Sequence, residues 1–139
     1  KGVREYPTKD HDLKRFMFFF SPFANSSVMM RKSVFSTAGC YDEKYGAGED
    51  LDLWFRAGEE FKFANLPEVL LKYRIHPESL THSKLREMEI QSNNLRLRYL
   101  RNPAFSAGIC AYIYNYFHLL SIYLIPSKIK LMVFRKLRD

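Results

Sequence analysis

The sequence predicts an α/β fold with a helical C-terminal part, and three observations predict it. Short apolar runs of strand length alternate with segments in which apolar residues recur at helical spacing. Glycine and proline fall at the joins, at Pro22, Gly39, Gly46, Gly48 and Pro77. Beyond residue 83 the strand-like runs stop, and a polar helical pattern leads into a long uncharged stretch. With 139 residues and 47% hydrophobic content, the chain has room for one domain with a modest core.

Residues 1–26 open polar and run into Phe16-Met17-Phe18-Phe19-Phe20, expected to be the buried face of a short helix broken at Ser21-Pro22. Ser27 to Arg31 is expected to be a short buried strand, and a helix follows from Ser33 towards Gly39. The stretch from Gly39 to Gly48 holds Gly46 as a further breaker and is expected to be a flexible loop. A helix begins at Glu49 and runs to about Ala57, because Leu51, Trp54, Phe55 and Gly58 repeat at helical spacing on one inward face. Strands are expected at Phe61–Ala64 and from Val69 to Ile75, the second ending at His76-Pro77, where proline disfavours helix. Lys84 to Arg101 is expected to form a polar helix with Leu85, Met88, Leu95 and Tyr99 on one side.

From Ala104 to Ile125, 22 positions carry no formal charge. As one helix they would extend about 33 Å, enough for a hydrocarbon core of about 30 Å. Asn115, His118 and the many tyrosines argue against a simple span, and leave open a helix lying in the interface or a hairpin folded back on the protein. Apolar and basic residues then mix from Ile129 to Leu137, as in an amphipathic surface anchor.

The formal charge is +7, and after Pro103 the chain holds Lys128, Lys130, Arg135, Lys136 and Arg138 against only Asp139. These basic residues trail an apolar stretch and do not interleave with aromatics, and no nucleic-acid motif is present. An anionic membrane surface is therefore the expected partner, and nucleic acid is not. Cys40 and Cys110 lie far apart without a Cys-x-x-Cys, which fits neither a disulfide framework nor a zinc site and agrees with a reducing cytoplasm.

The run Gly48-Glu49-Asp50-Leu51-Asp52-Leu53-Trp54 carries the chemistry. It sets two adjacent carboxylates at the mouth of a helix, with a third two residues on. The helix macrodipole favours acidic residues there and keeps a carboxylate ionised near neutral pH. An ionised carboxylate on a rigid element can take a proton from a substrate hydroxyl. Ordinary N-terminal helix charge is the competing reading. Trp54 is assigned to core packing over sugar stacking by its helical spacing.

The surroundings decide between them. Upstream stand Ser27-Val28-Met29-Met30-Arg31-Lys32-Ser33-Val34-Phe35 and Gly39-Cys40-Tyr41-Asp42-Glu43; downstream stands Phe63-Ala64-Asn65-Leu66-Pro67-Glu68-Val69-Leu70-Leu71-Lys72-Tyr73-Arg74-Ile75-His76. From about Phe20 to Ser83, this order and spacing resembles the C-terminal half of the catalytic domain of family 2 glycosyltransferases, inverting enzymes of GT-A fold that use nucleotide sugars. The resemblance implies a partial GT-A fold over residues 1–102, the acceptor side, with residues 103–139 as a membrane-associating tail. It also implies a donor half carrying a strand-end Asp-x-Asp. No Asp-x-Asp is expected before Ser27 and no Gly-rich phosphate loop is read anywhere, so the chain is expected to be the C-terminal part of a longer enzyme.

By this resemblance Asp50 is the general base and Glu49 orients the site or contacts the acceptor. Gly39 forms the turn that passes close to a sugar; relatives commonly have Gly-Gly there, and Cys40 replaces the second glycine. Asp52 is a further acceptor-side candidate, with a structural role in the first helical turn as its alternative. Arg74 pairs with a phosphate through its planar fork or makes a rim ion pair. His76 is the candidate ligand for a divalent cation, magnesium or manganese, that offsets the charge of the leaving diphosphate. The implied partners are a nucleotide-diphosphate sugar donor and a glycan or lipid-linked acceptor, with the enzyme at the cytoplasmic face of a membrane. A rival reading is a non-catalytic membrane-associated module without the donor half.

Overall fold

An extended run becomes a strand only when a neighbour completes its hydrogen-bond ladder. The backbone here is organised by helices instead. The computed structural model describes residues 3–74, 84–126, 129, 130 and 132. Among them five α-helices are delimited: α1 (Asp10–Phe16), α2 (Ser33–Ala38), α3 (Glu49–Glu60), α4 (Leu85–Tyr99) and α5 (Ile109–Leu124). Short 3-10 turns lie at Asn25–Ser27, Glu43–Gly48 and Pro103–Phe105, and no strand forms among the described residues.

The expected strands are corrected on that ground. Ser27 closes a 3-10 turn, and Val28 beyond it is extended without a ladder. Phe61 is also extended. The segment after it is held by other means: the Phe63 N–H donates to the Asp10 carboxylate at 2.8 Å. The Asn65 side chain donates to the carbonyls of Pro7 and Pro22, each at 3.0 Å. Residues 69–74 belong to no strand and are exposed, while Ile75 and His76 lie outside the described residues.

The helix from Glu49 is borne out, and it is buried more completely than one face. Leu51, Leu53, Trp54, Phe55, Ala57 and Gly58 are all buried, so α3 is the central element. It is flanked by α2, by α4 and by the turns at 43–48 and 103–105. Phe55 stacks on Tyr99 of α4 with ring centroids 4.5 Å apart, and meets Phe105 edge-on at 5.2 Å. Phe18 packs on both Phe55 and Phe105. Trp54 meets Phe23 edge to face at 5.2 Å, in the core as its spacing predicts. Burying one such aromatic contributes about 1.5–3 kcal/mol. Gly58 is required by this packing: a Cβ there would lie 2.9 Å from a ring carbon of Phe105 and 3.0 Å from one of Phe63.

The uncharged stretch beyond Pro103 is not one helix. Ser106 adopts a left-handed conformation (φ 46°, ψ 50°), and α5 starts only at Ile109. Its 16 residues extend about 24 Å. Among the described residues no helix is long and apolar enough to cross a membrane. The two polar residues that weakened the span face inward. Asn115 is fully buried and donates to the carbonyls of Phe18 at 3.0 Å and Ala111 at 2.8 Å. His118 shares a hydrogen bond of 3.1 Å with the buried Asn93 of α4. Arg96 of α4, also buried, donates to the Met17 carbonyl at 2.9 Å. These three side chains tie the turn after α1 and both C-terminal helices into one body. Phe105 and Ala111, past the expected boundary at residue 102, join the same core as Trp54 and Phe55.

Candidate active site

The site is built where the 43–48 turn hands over to α3. Gly46 (φ 48°) supplies a conformation that side chains resist, and Asp42 caps the turn by accepting from the Lys44 N–H at 3.1 Å. Glu49 and Asp50 then occupy the first turn of α3, half-buried. The sequence expectation placed the acidic turn near the surface, with the macrodipole keeping Asp50 ionised. Its surroundings shift Asp50 the other way. Burial pushes its carboxyl above the usual range and the adjacent Glu49 charge adds to that, against the Leu51 N–H, which donates to it at 2.7 Å. A carboxylate of raised basicity accepts a proton more readily, which is what a general base requires.

Glu49 presents a buried carboxylate oxygen, Oε2, that accepts no hydrogen bond within the described protein. An unfilled buried acceptor beside a basic carboxylate is the feature expected of a site that completes its bonding with a hydroxyl-bearing ligand.

Asp52 is placed differently from its neighbours. It is 2% exposed, and its carboxylate takes the Arg56 guanidinium at 2.8 Å from Nε and 2.7 Å from Nη2. This bridge is the structural role in the first helical turn that the sequence offered as the alternative for Asp52. Arg56 extends the bridge, donating also to the carbonyls of Ala38 and, at 2.9 Å, of Cys40. These two carbonyls flank Gly39, whose φ of 77° lies in the left-handed region. A Cβ at Gly39 would approach Arg56 Nη1 to 3.3 Å, so the glycine serves both the turn and the bridge. The loop is pinned to α3 from beneath.

Tyr41 is the residue that sequence reasoning missed. Its phenol is held above its ordinary pKa by partial burial and by the charges of Asp50 and then Glu49, so it lies within electrostatic reach of both. The signal available was its place one residue past Gly39-Cys40, on the loop that Arg56 fixes. Arg56 itself was legible as the i,i+4 partner of Asp52.

Arg74 is exposed, and among the described residues no hydrogen bond or ion pair joins it to Glu49 or Asp50. His76, the expected metal ligand, lies outside the described residues. No three His, Cys, Asp or Glu side chains converge to hold a metal ion among the described residues. The reading that no Asp-x-Asp precedes Ser27 is corrected by the sequence itself. Asp10-His11-Asp12 has the spelling but forms the first turn of α1, where Asp10 takes the Phe63 N–H and pairs with Lys14 at 3.3 Å. Cys40 and Cys110 are free and exposed.

Residues 7–119 match the family model described as glycosyltransferase like family 2, and the chain belongs to that family. It is 24% identical over 127 residues to an uncharacterized glycosyltransferase of Haemophilus influenzae, covering 91% of this chain and 39% of the relative. It is 33% identical over 98 residues to the O-antigen biosynthesis glycosyltransferase WbnJ of Escherichia coli, covering 68% of this chain and 38% of the relative. The chain therefore spans less than half the length of either relative. No solved structure matches it.

Proposed function

We propose that the full-length protein carrying this chain transfers a sugar, with inversion, from a nucleotide-diphosphate sugar to a hydroxyl of a glycan or lipid-linked acceptor. The setting is surface polysaccharide or glycolipid synthesis at the cytoplasmic face of a membrane. The observation that carries the reading is the match of residues 7–119 to the family, with Glu49 and Asp50 half-buried in the first turn of α3, where the resemblance expects the acidic motif. The naming of the E. coli relative as an O-antigen biosynthesis glycosyltransferase supports the class of product.

In the proposed step the acceptor oxygen bonds to the anomeric carbon as the bond from that carbon to the diphosphate breaks. The hydroxyl proton passes to the Asp50 carboxylate. Glu49 Oε2 accepts from a second acceptor hydroxyl and turns the nucleophile towards the reacting carbon. Tyr41 and the Gly39 turn wall the acceptor side, kept in register by Arg56. A magnesium or manganese ion, when bound, would offset the charge of the leaving diphosphate. No ligand set is assigned to it among the described residues, and His76 stands as a candidate ligand from the resemblance alone.

Nucleotide-diphosphate sugars offered together with free and lipid-linked saccharide acceptors test this reading, with NMR used to read the anomeric configuration of the product. An inverted glycoside supports it. A product of retained configuration, or no transfer to any hydroxyl acceptor, contradicts it.

A further inference from the structure

One face of α4 runs over the turn that leads into α3. Glu87, Gln91 and Leu95 follow one another at i,i+4 spacing and so share that face. It lies against Gly46 and Gly48. A Cβ at Gly46 would come within 3.1 Å of Glu87 Oε1. One at Gly48 would lie 3.5 Å from Gln91 Cβ and Oε1 and 4.0 Å from Leu95 Cδ1. Gly48 is buried and immediately precedes Glu49.

The amide of Gln91 is only half used. Its Nε2 donates to Glu87 Oε1 at 3.3 Å. That bond orients the amide, because the reversed amide would set its oxygen against a carboxylate oxygen. Gln91 Oε1 is buried and accepts no hydrogen bond among the described residues. Glu49 Oε2 is unfilled in the same way. Two unfilled buried acceptors therefore stand at Gly48, one on the next residue and one packed against it. Burying an acceptor without a partner opposes folding, so a pair of them points to a ligand that fills both.

We infer that Gln91 Oε1 is a specificity contact for the acceptor, taking a second donor group beside the hydroxyl that Glu49 holds. This rests on the transferase reading and adds α4 to the acceptor side. The chemistry selects a neutral, hydroxyl-bearing ligand. Both oxygens only accept, so they call for donors. The carboxylates of Glu49, Asp50 and Glu87 border the position, which disfavours an anionic group such as a diphosphate. Glu87 is exposed and its bond to Gln91 is long, so the amide turns towards a ligand at little cost.

The test is Gln91→Met in the full-length protein, a change that keeps the length and helix preference of the side chain and removes its oxygen. The melting temperature should equal or exceed the parent's, because an unfilled buried acceptor has gone. Acceptor KM should rise about two- to tenfold, the loss of one hydrogen bond, with donor KM and turnover at saturating acceptor unchanged. Among monodeoxy analogues of the accepted saccharide, one should be penalised by a similar factor with the parent and carry no further penalty with the variant. Saturation-transfer NMR with methyl hexopyranosides reads the same contact without turnover. A saccharide signal that Gln91→Met weakens, in a protein that transfers no sugar, counts against the transferase reading and keeps the saccharide contact at Gln91. An acceptor KM and deoxy penalties that Gln91→Met leaves unchanged overturn the inference, as ordered water alone at the oxygen would give. So does a lowered melting temperature with unchanged KM, which makes Gln91 a structural residue.

Discussion

At the scale of single residues, three nearby carboxylates have three different surroundings. Asp52 is committed to Arg56, Glu49 keeps a free oxygen, and Asp50 is raised by burial and by Glu49. Removing the guanidinium in Arg56→Ala strands the Asp52 carboxylate at 2% exposure. The expected cost is about 3 kcal/mol, the low end for breaking a buried pair, because Arg56 keeps a quarter of its side chain exposed. The double variant with Asp52→Ala should cost less than the sum of the single changes in denaturant titrations. Additive losses would mean that the bridge carries no coupling.

Asp50 has a stability signature as well. Its folded-state pKa lies above its unfolded value, so the native state binds more protons through that window and stability falls as pH rises across it. Asp50→Asn is therefore expected to melt higher than the parent at neutral pH, with the advantage shrinking as pH falls into the ordinary carboxylate range. Equal melting at all pH values would show that Asp50 is not strained by its burial. The motif was readable because Glu49-Asp50 stands in a family pattern and begins a strongly periodic helix. The pKa direction was not readable: the macrodipole is a property of the helix alone, whereas the burial that outweighs it comes from the surrounding fold.

At the scale of elements, α3 is the one that the sequence announces most clearly, and packing explains why. A helix buried nearly all round must carry apolar or small residues at most positions, and Gly58 is part of that pattern. Gly58→Ala should lower stability by about 1–3 kcal/mol despite a helix-propensity gain of up to about 1 kcal/mol, because Phe105 and Phe63 leave no room for a methyl group. A higher melting temperature for the alanine variant would contradict the packing described. The strand expectations failed for a different reason. Residues 27–31 and 61–64 carry enough apolar residues to read as strands, yet pairing is a property of a neighbour that a local pattern does not contain.

The α4–α5 pair makes its own prediction. Burial lowers the His118 pKa, with the positive charges of Arg96 and Lys130 adding and Glu89 opposing. A histidine depressed in the folded state binds its proton first in the unfolded chain, so stability falls as pH drops below about 6.5. Melting temperatures measured between pH 7 and pH 5 should decline, and His118→Gln should flatten that part of the decline. An unchanged slope would remove His118 from the acid response. Burial pulls the Arg96 pKa down as well, but only to about 10, so Arg96 stays charged across this range.

At the scale of the whole molecule, two surfaces separate by chemistry. One comprises the loop Gly39–Gly48 and the start of α3, where the acidic pair and the unfilled Glu49 oxygen sit. The other is the exposed side of α5, apolar and uncharged. The long uncharged stretch raised the expectation of membrane contact, while its division at Ser106 and the inward turn of Asn115 and His118 needed the tertiary structure to be seen. The family was legible over about residues 20–83, where several separated segments agree in order and spacing, and the family model extends the match to residues 7–119. The chain spans 39% and 38% of its two relatives.

The central claim is that Asp50 takes the acceptor proton. Turnover of the full-length protein and its Asp50→Asn variant at saturating donor, measured together with donor affinity, tests it most directly. The account predicts a loss of about 10²–10⁴-fold in turnover with donor affinity essentially unchanged. Full turnover by a folded Asp50→Asn enzyme would contradict it, and so would a loss that appears wholly as weakened donor binding.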